Sequence, residues 1–190
     1  MSGKKGDDRY TVTGPGDKVI EKANGGIDTV YSYINLAKLS ENVENLYLHG
    51  FDDLKGLGNG MNNRIMGNNA NNILDGAAGK DILAGNGGVD RMTGGAGNDI
   101  FVYSKKSDAG DHITDFRHGE DLIDMRPLTR SLSLSGTEIA QAVKLVDQDG
   151  STLIMIDADG AGGGQATLLV TLDQIRPTGL VIGHDLLVDW

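Results

Sequence analysis

Residues 58–102 read GNGMNNRIM, GNNANNILD, GAAGKDILA, GNGGVDRMT and GGAGNDIFV, five nine-residue blocks in one register. Gly58, Gly67, Gly76, Gly85 and Gly94 open the blocks. The sixth position is Asn63, Asn72, Asp81, Asp90 and Asp99 in turn, and the eighth is Ile65, Leu74, Leu83, Met92 and Phe101. A glycine, an acid or amide, and an apolar residue recurring for five periods imply one structural unit stacked on copies of itself.

Six glycine-rich residues can close a tight turn with carbonyls pointing inward. The last three can extend into a strand of about 10 Å. The middle side chain of such a strand faces away from its neighbours. That residue is always apolar, so it faces the core. One block then makes a strand and a half-turn, and two make a complete coil, so alternate turns stack on the same edge. Strands in such a stack lie ~4.8 Å apart. Asp81 and Asp99 share one gap, Asn72 and Asp90 a second on the opposite edge, and Asn63 and Asp81 a third. Carboxylates held that close repel unless a cation lies between them. Donors that are all oxygen, from carboxylate, amide and backbone carbonyl, select a hard cation, and flexible geometry favours Ca²⁺ over Mg²⁺. A single Gly97-Asn98-Asp99 would be an ordinary surface turn. Five such turns in register point to calcium.

The composition agrees. The 190 residues include 29 Gly and only 3 Pro, with 38% hydrophobic and 5% aromatic residues, which suits many turns between short strands rather than a thick globular core. The net charge of −10 argues against nucleic acid as a partner, because no basic stripe faces phosphates. The absence of cysteine excludes disulfides and thiolate metal sites. Met1–Gly6 is polar and basic with no apolar run behind it, unlike a signal peptide, and no stretch is long and apolar enough to span a bilayer.

Three segments are expected. Residues 1–57 hold irregular coils, with β-like runs at Tyr10–Val12, Val19–Glu21, Thr29–Tyr31 and Leu46–Leu48 between turns at Gly14-Pro15-Gly16-Asp17 and Asn24-Gly25-Gly26. Gly3, Gly6, Asp8 and Tyr10 fit positions one, four, six and eight of the block, and Gly26, Asp28 and Val30 form a weaker copy. Asp8 and Asp28 are therefore secondary candidates for metal binding. The chain is expected to begin inside a repeat array, as a piece of a longer polypeptide with Met1-Ser2 an expression start. Residues 58–102 are the regular array. Residues 103–190 lose the period. There Ala142–Val146, Ser151–Ile156 and Ala166–Leu172 read as strands, the first two joined by the longer-than-two-residue loop Asp147-Gln148-Asp149-Gly150. Gly160–Gly164 reads as a glycine loop, Thr137–Gln141 as a short helix, and Leu180–Trp190 as an apolar, acidic tail without Lys or Arg. The outward side chains Met66, Ile82, Ala84, Ile100 and Val102 form a largely apolar face beside Arg64, which the C-terminal strands are expected to cover. The other sheet turns out Ile73, Asp75, Arg91 and Thr93.

The nonapeptide resembles that of the RTX family, calcium-binding exports of Gram-negative bacteria. Gly94-Gly95-Ala96-Gly97-Asn98-Asp99-Ile100-Phe101 matches at every defined position, and Gly76, Gly79, Asp81 and Leu83 match with Ala77 at the second glycine. The resemblance implies an all-β, right-handed parallel β-roll, a solenoid stapled by several calcium ions and closed by a C-terminal β-strand cap. It also implies a division of ligands between stacked turns. One site would use Ala77, Gly79, Asp81, Gly94, Ala96 and Asp99, and a second Asn68, Ala70, Asn72, Gly85, Gly87 and Asp90. A third would use Asn59, Met61, Asn63, Gly76, Ala78 and Asp81. Asn63 and Asn72 replace the usual aspartate, and Met61 and Ala70 the glycine at position four, so the Asn63/Asp81 site, first along the chain, should be weak or empty and the Asp81/Asp99 site strongest. Asp111-x-Ile113-x-Asp115-Phe116 and Gly119-x-Asp121-x-Ile123-Asp124 resemble the region capping such rolls in serralysin-like exports, which implies Asp115 and Asp121 as ligands of a closing calcium.

No catalytic constellation is legible: there is no zinc-protease helix motif, nucleophile elbow or phosphate loop, and His49, His112, His118 and His184 are scattered. The chain is expected to be a non-catalytic module, with any enzyme upstream in the parent protein. The resemblance implies a monomeric, secreted or cell-surface bacterial module that folds on calcium outside the cell and serves the type I secretion machinery. The alternative is an accessory module binding extracellular polysaccharide or a cell surface, as in alginate epimerases and bacterial adhesins, with Tyr31, Tyr33 and Tyr47 as a stacking surface.

Overall fold

A computed structural model describes residues 1–36, 38–134, 136–157 and 165–188. The glycine loop Gly160–Gly164 and the last two residues of the tail lie outside the described residues. Strands β1 (Arg9–Val12), β2 (Thr29–Ser32), β3 (Asn45–Leu48) and β4 (Lys55–Leu57) precede the array. Within it, β5 (Arg64–Met66), β6 (Ile73–Asp75), β7 (Ile82–Ala84), β8 (Arg91–Thr93) and β9 (Ile100–Val102) occupy positions seven to nine of successive blocks. β10 (Asp111–Ile113) and β11 (Leu122–Asp124) add two further rungs. Helices α1 (Arg126–Ser131) and α2 (Gly136–Ala142) follow, then β12 (Val143–Gln148), β13 (Ser151–Ile156), β14 (Thr167–Leu172) and β15 (Leu186–Leu187).

The strands form two sheets. One runs β1-β2-β3-β5-β7-β9-β11-β15 and the other β12-β13-β14-β10-β8-β6-β4. In the array every pair is parallel and in step: Arg64 pairs with Ile82, Ile82 with Ile100, and Ile73 with Arg91. Two blocks therefore make one coil, as the period requires, and the fold is a mostly β, parallel β-roll. The first sheet continues through β1, β2 and β3 in parallel register, so the irregular coils belong to the same stack. Val19–Glu21, expected as a strand, contributes only the bridge between Ile20 and Ser2.

The core is the space between the sheets. Ile65, Leu74, Leu83, Met92 and Phe101, the five eighth-position residues, are all 0% exposed. Val30, Leu46, Ile113 and Ile123 extend the row beyond the array. Each such side chain contributes about 1.5–3 kcal/mol on burial, so the roll stays together through two facing rows of apolar residues, one from each sheet. On β4 the equivalent position is Gly56, where an added Cβ would lie 2.9 Å from Leu46 Cδ2, so the neighbouring leucines fill that rung.

The C-terminal strands do not cover the apolar outward face of the first sheet. They extend the other sheet edge-on. β14 pairs in parallel with β10, and β12, β13 and β14 form an antiparallel meander beyond it. The physical reason is the open edge of β10, whose unpaired backbone groups call for a partner strand. Met66, Ile82, Ile100 and Val102 remain half-buried. The meander also tightens the expected hairpin. β12 runs to Gln148, and the loop is only Asp149-Gly150, both at positive φ (53° and 85°), the combination a two-residue hairpin turn of matching twist requires. The helix expected near Thr137 forms as α2. α1, with Pro127 in its first turn, was not legible from periodicity; it buries Leu128 and Thr129.

Candidate metal centre

The turns between strands stack as closely as the strands. Where the sixth position is an aspartate, its side chain reaches back to the coil before it. Asp81 Oδ1 accepts the N–H of Asn63 at 2.6 Å, Asp99 Oδ1 that of Asp81 at 2.9 Å, and Asp121 Oδ1 that of Asp99 at 3.0 Å. On the opposite edge, Asp90 Oδ1 accepts from Asn72 at 2.6 Å and Asp111 Oδ1 from Asp90 at 2.8 Å. Near the N-terminus, Asp28 Oδ1 accepts from Asp8 at 2.8 Å and Glu44 from Asp28 at 2.8 Å. One oxygen of each carboxylate is thus spent on the stack.

The second oxygen is the chemically informative one. Asp28, Asp81, Asp90 and Asp99 each bury Oδ2 with no hydrogen-bond partner. A buried acceptor left unmatched is costly, and a buried charge more so. Glycine makes room for these atoms. A Cβ on Gly76 would collide with Asp81 Oδ2 and sit 2.5 Å from Gly94 O, and one on Gly94 or Gly85 would collide with the carboxylate of Asp99 or Asp90. Carboxylate and carbonyl oxygens therefore converge on one small volume per rung, a donor set that fits Ca²⁺. Without a cation, burial pushes Asp81 up to about 7, against the Asn63 hydrogen bond and with Asp99 and Asp75 adding repulsion. Burial takes Asp90 to about 6 and Asp111 to about 7, and Asp99 and Asp121 also rise through burial.

The three expected ligand sets are brought together unequally. In the set Ala77, Gly79, Asp81, Gly94, Ala96 and Asp99, the two turns clasp through Ala96 N to Ala77 O at 2.9 Å and Gly79 N to Ala96 O at 2.8 Å. Both aspartates offer Oδ2 atoms without hydrogen-bond partners. In the set Asn68, Ala70, Asn72, Gly85, Gly87 and Asp90, only Asp90 does. Asn72 Oδ1 turns back to Asn68 N at 2.8 Å, and Asn72 Nδ2 donates to Asn68 Oδ1 at 3.0 Å. In the set Asn59, Met61, Asn63, Gly76, Ala78 and Asp81, the amides form a network of their own. Asn63 Oδ1 accepts from Asn59 N, Asn63 Nδ2 donates to Val43 O and Glu44 O, and Asn59 Nδ2 donates to Ser40 O and Val43 O. Neutral hydrogen bonds there take the place of charge. Asp115 accepts from both Gly94 N and Gly95 N at 2.8 Å. Asp121 uses its second oxygen on Arg117 N at 2.8 Å.

Three acidic residues passed over in the sequence belong to the stack or its N-terminal cluster: Glu44, which accepts from Asp28 N, Asp111 and Glu21. Asp111 takes the sixth-position role after Asp90. Its signal was the triplet Asp111-His112-Ile113, which copies Asp99-Ile100-Phe101, but it lies 21 residues past Asp90 rather than 18 past. Glu21 joins Asp8 and Asp28 in a cluster whose ligand oxygens all lie within 4.8 Å of one another. Glu21 and Asp28 are buried, and Glu21 also accepts the Tyr10 hydroxyl. No period marks Glu21, so only the folded chain places it there. The histidines are less scattered than the sequence suggested: His118 and His184 both face Asp185, at 2.9 and 3.4 Å.

Among the described residues no helix is long and apolar enough to cross a membrane. The family described as Peptidase M10 serralysin C terminal matches residues 3–172. No curated protein matches the chain. Similar solved structures include the solution structure of the AlgE6R3 subunit from the Azotobacter vinelandii mannuronan C5-epimerase, 25% identical over 78% of this chain and 82% of that one, with a TM-score of 0.48. The AlgE6R2 subunit of the same enzyme is 20% identical over 99% of this chain and 91% of its own, with a TM-score of 0.44.

Proposed function

The chain belongs to the serralysin C-terminal family, a family of calcium-binding secreted modules that are non-catalytic accessory domains, and from that premise we propose that it is a folding switch driven by extracellular calcium. The observation that carries the proposal is the column of buried aspartates whose second oxygens lack hydrogen-bond partners. Below the calcium concentration that fills the column, stacked carboxylates repel and glycine-rich turns impose a large entropy cost, so the chain stays unfolded and can pass a type I secretion channel. Outside the cell, calcium at ~10⁻⁴–10⁻³ M binds the folded state alone and draws folding forward by mass action. The residues that hold it are Asp81, Asp99 and Asp90, with backbone carbonyls of the glycine turns. The Asp8, Glu21 and Asp28 cluster is a further calcium position at the N-terminal end. The folded module then stabilises the larger exported protein that carries it, as a monomer. Far-UV circular dichroism in chelator and in calcium tests this: a folded spectrum in chelator, unchanged by added calcium, sinks it.

A second reading, an accessory module for extracellular polysaccharide, is favoured by one observation. On the outward side of β2 and β3 the rings of Tyr31 and Tyr47 stack at 5.5 Å, with His49 edge-on to Tyr31 at 5.2 Å. Titration of calcium-loaded protein with alginate oligosaccharides separates the two readings. Heat of binding lost in Tyr47→Ala supports the platform, and none in the parent chain excludes it for alginate.

A further inference from the structure

Between the turn of Gly94–Asp99 and the rung that carries Asp121, the stack holds the guanidinium of Arg117. Arg117 Nη2 donates to Gly95 O and Gly97 O, both at 2.6 Å. The same nitrogen lies 3.9 Å from Asp99 Oδ2, while Nε lies 3.7 Å from Asp121 Oδ2 and 3.3 Å from Glu120. Gly95 and Gly97 are the second and fourth residues of their block, and Asp99 and Asp121 are the sixth-position acids of the two stacked turns. This is the donor set that one rung earlier consists of Ala77, Gly79, Asp81 and Asp99.

We propose that the Arg117 guanidinium is a built-in substitute for calcium at this junction, so that the column of metal ions ends one rung before the stack of turns does. The chemistry fits. A guanidinium stays charged at any physiological pH and is less strongly hydrated than an ammonium, which suits a partly enclosed site. Its planar fork can meet two carbonyls and a carboxylate together. It also excludes the ion, because calcium would need the same carbonyl oxygens at ~2.3–2.6 Å, where Nη2 already stands. The side chain is not a loose surface arm that has fallen inward. Its backbone is held by Arg117 N to Asp121 Oδ2 at 2.8 Å and by Asp121 N to Arg117 O at 2.9 Å, within the loop that delivers Asp121. The consequence is functional. The last coil docks onto the array with a cation supplied by the chain, so this end of the roll can form at calcium concentrations too low to fill the repeats and can serve as the template on which they close.

This inference rests on the calcium reading of the repeats, and the experiment separates the two. Native mass spectrometry counts calcium bound to the full chain and to Arg117→Gln in saturating calcium, with circular dichroism confirming that each is folded. The expected result is one more ion on Arg117→Gln than on the parent, and a folding transition that is steeper and displaced to higher calcium. An unchanged count on a folded variant overturns the arginine proposal alone. A parent chain that binds no calcium overturns the reading of the repeats, and this one with it. Should the variant not fold, a calcium-loaded crystal of the parent decides. Anomalous density within ligand distance of Gly95 O and Gly97 O refutes the substitution, and a guanidinium on those carbonyls upholds it.

Discussion

Replacing Asp81 by asparagine should change the stability of the roll in opposite directions with and without calcium. Asp81 faces two gaps, one toward Asn63 and one toward Asp99, and its Oδ2 is buried without a partner. Asparagine keeps the Oδ1 acceptor for Asn63 N–H and removes the charge. In about 10 mM calcium, roughly 100 times a Kd of ~10⁻⁴ M, each filled site adds about 2.7 kcal/mol. The gap toward Asn63 is held by its own amide network, so weakening the Asp81/Asp99 site costs up to about 2.7 kcal/mol, a large part of the stability of a small domain. In chelator the sign reverses. Burial raises the folded-state pKa of Asp81 from 3.8 to about 7, so at pH 8 the folded chain must hold a charge that the unfolded chain carries freely. That penalty is absent below about pH 4 and full above about pH 7, and it amounts to about 4 kcal/mol at 1.36 kcal/mol per unit. Asp81→Asn relieves it. The assay is urea denaturation in calcium, and a trimethylamine oxide titration in chelator, where the osmolyte draws the chain toward its compact state, both followed by far-UV circular dichroism. The variant should unfold at lower urea than the parent and fold at lower osmolyte. A loss of equal size in both media would refute the reasoning, because it would make Asp81 a packing residue rather than a ligand.

The raised carboxylates also set a pH dependence. Asp81 and Asp111 lie at about 7 and Asp90 at about 6. Calcium must then displace protons below neutrality, and its affinity should fall roughly tenfold per pH unit for each carboxylate that protonates. Calorimetry in buffers of different ionisation enthalpy reads the released protons, and their absence between pH 5.5 and 7 would contradict the site. Gly97→Ala should lose about 3 kcal/mol, because at φ 142° its new Cβ runs into Gly79 O, combining overpacking with backbone strain. Gly60→Ala, where a Cβ meets nothing within 4 Å, should stay within about 0.5 kcal/mol in the same denaturation experiment. Glu21→Gln removes one of three converging carboxylates and should lower the calcium count by one without changing the folded spectrum in saturating calcium.

The period of nine determined most of the roll. A glycine turn, an acid at six and an apolar residue at eight admit one arrangement in which every eighth-position side chain is buried and every turn lies on its copy, and Ile65, Leu74, Leu83, Met92 and Phe101 all sit where that arrangement puts them. The unequal donor sets of the rungs were legible too, because an amide in place of a carboxylate is visible in the letters. What the letters lacked was everything that depends on a partner outside the period. The direction in which β14 docks was decided by the open edge of β10, a property of the assembled sheet. Glu21 enters the Asp8 and Asp28 cluster from an irregular coil, and Asp111 enters its column after an insertion that breaks the count. Arg117, on a loop with no repeat of its own, supplies a charge to the turn of Gly94–Asp99, some 20 residues earlier in the chain. Sequence patterns record contacts that recur at a fixed spacing. A contact made once, between segments whose separation obeys no rule, exists only when the chain has folded and the distances can be measured.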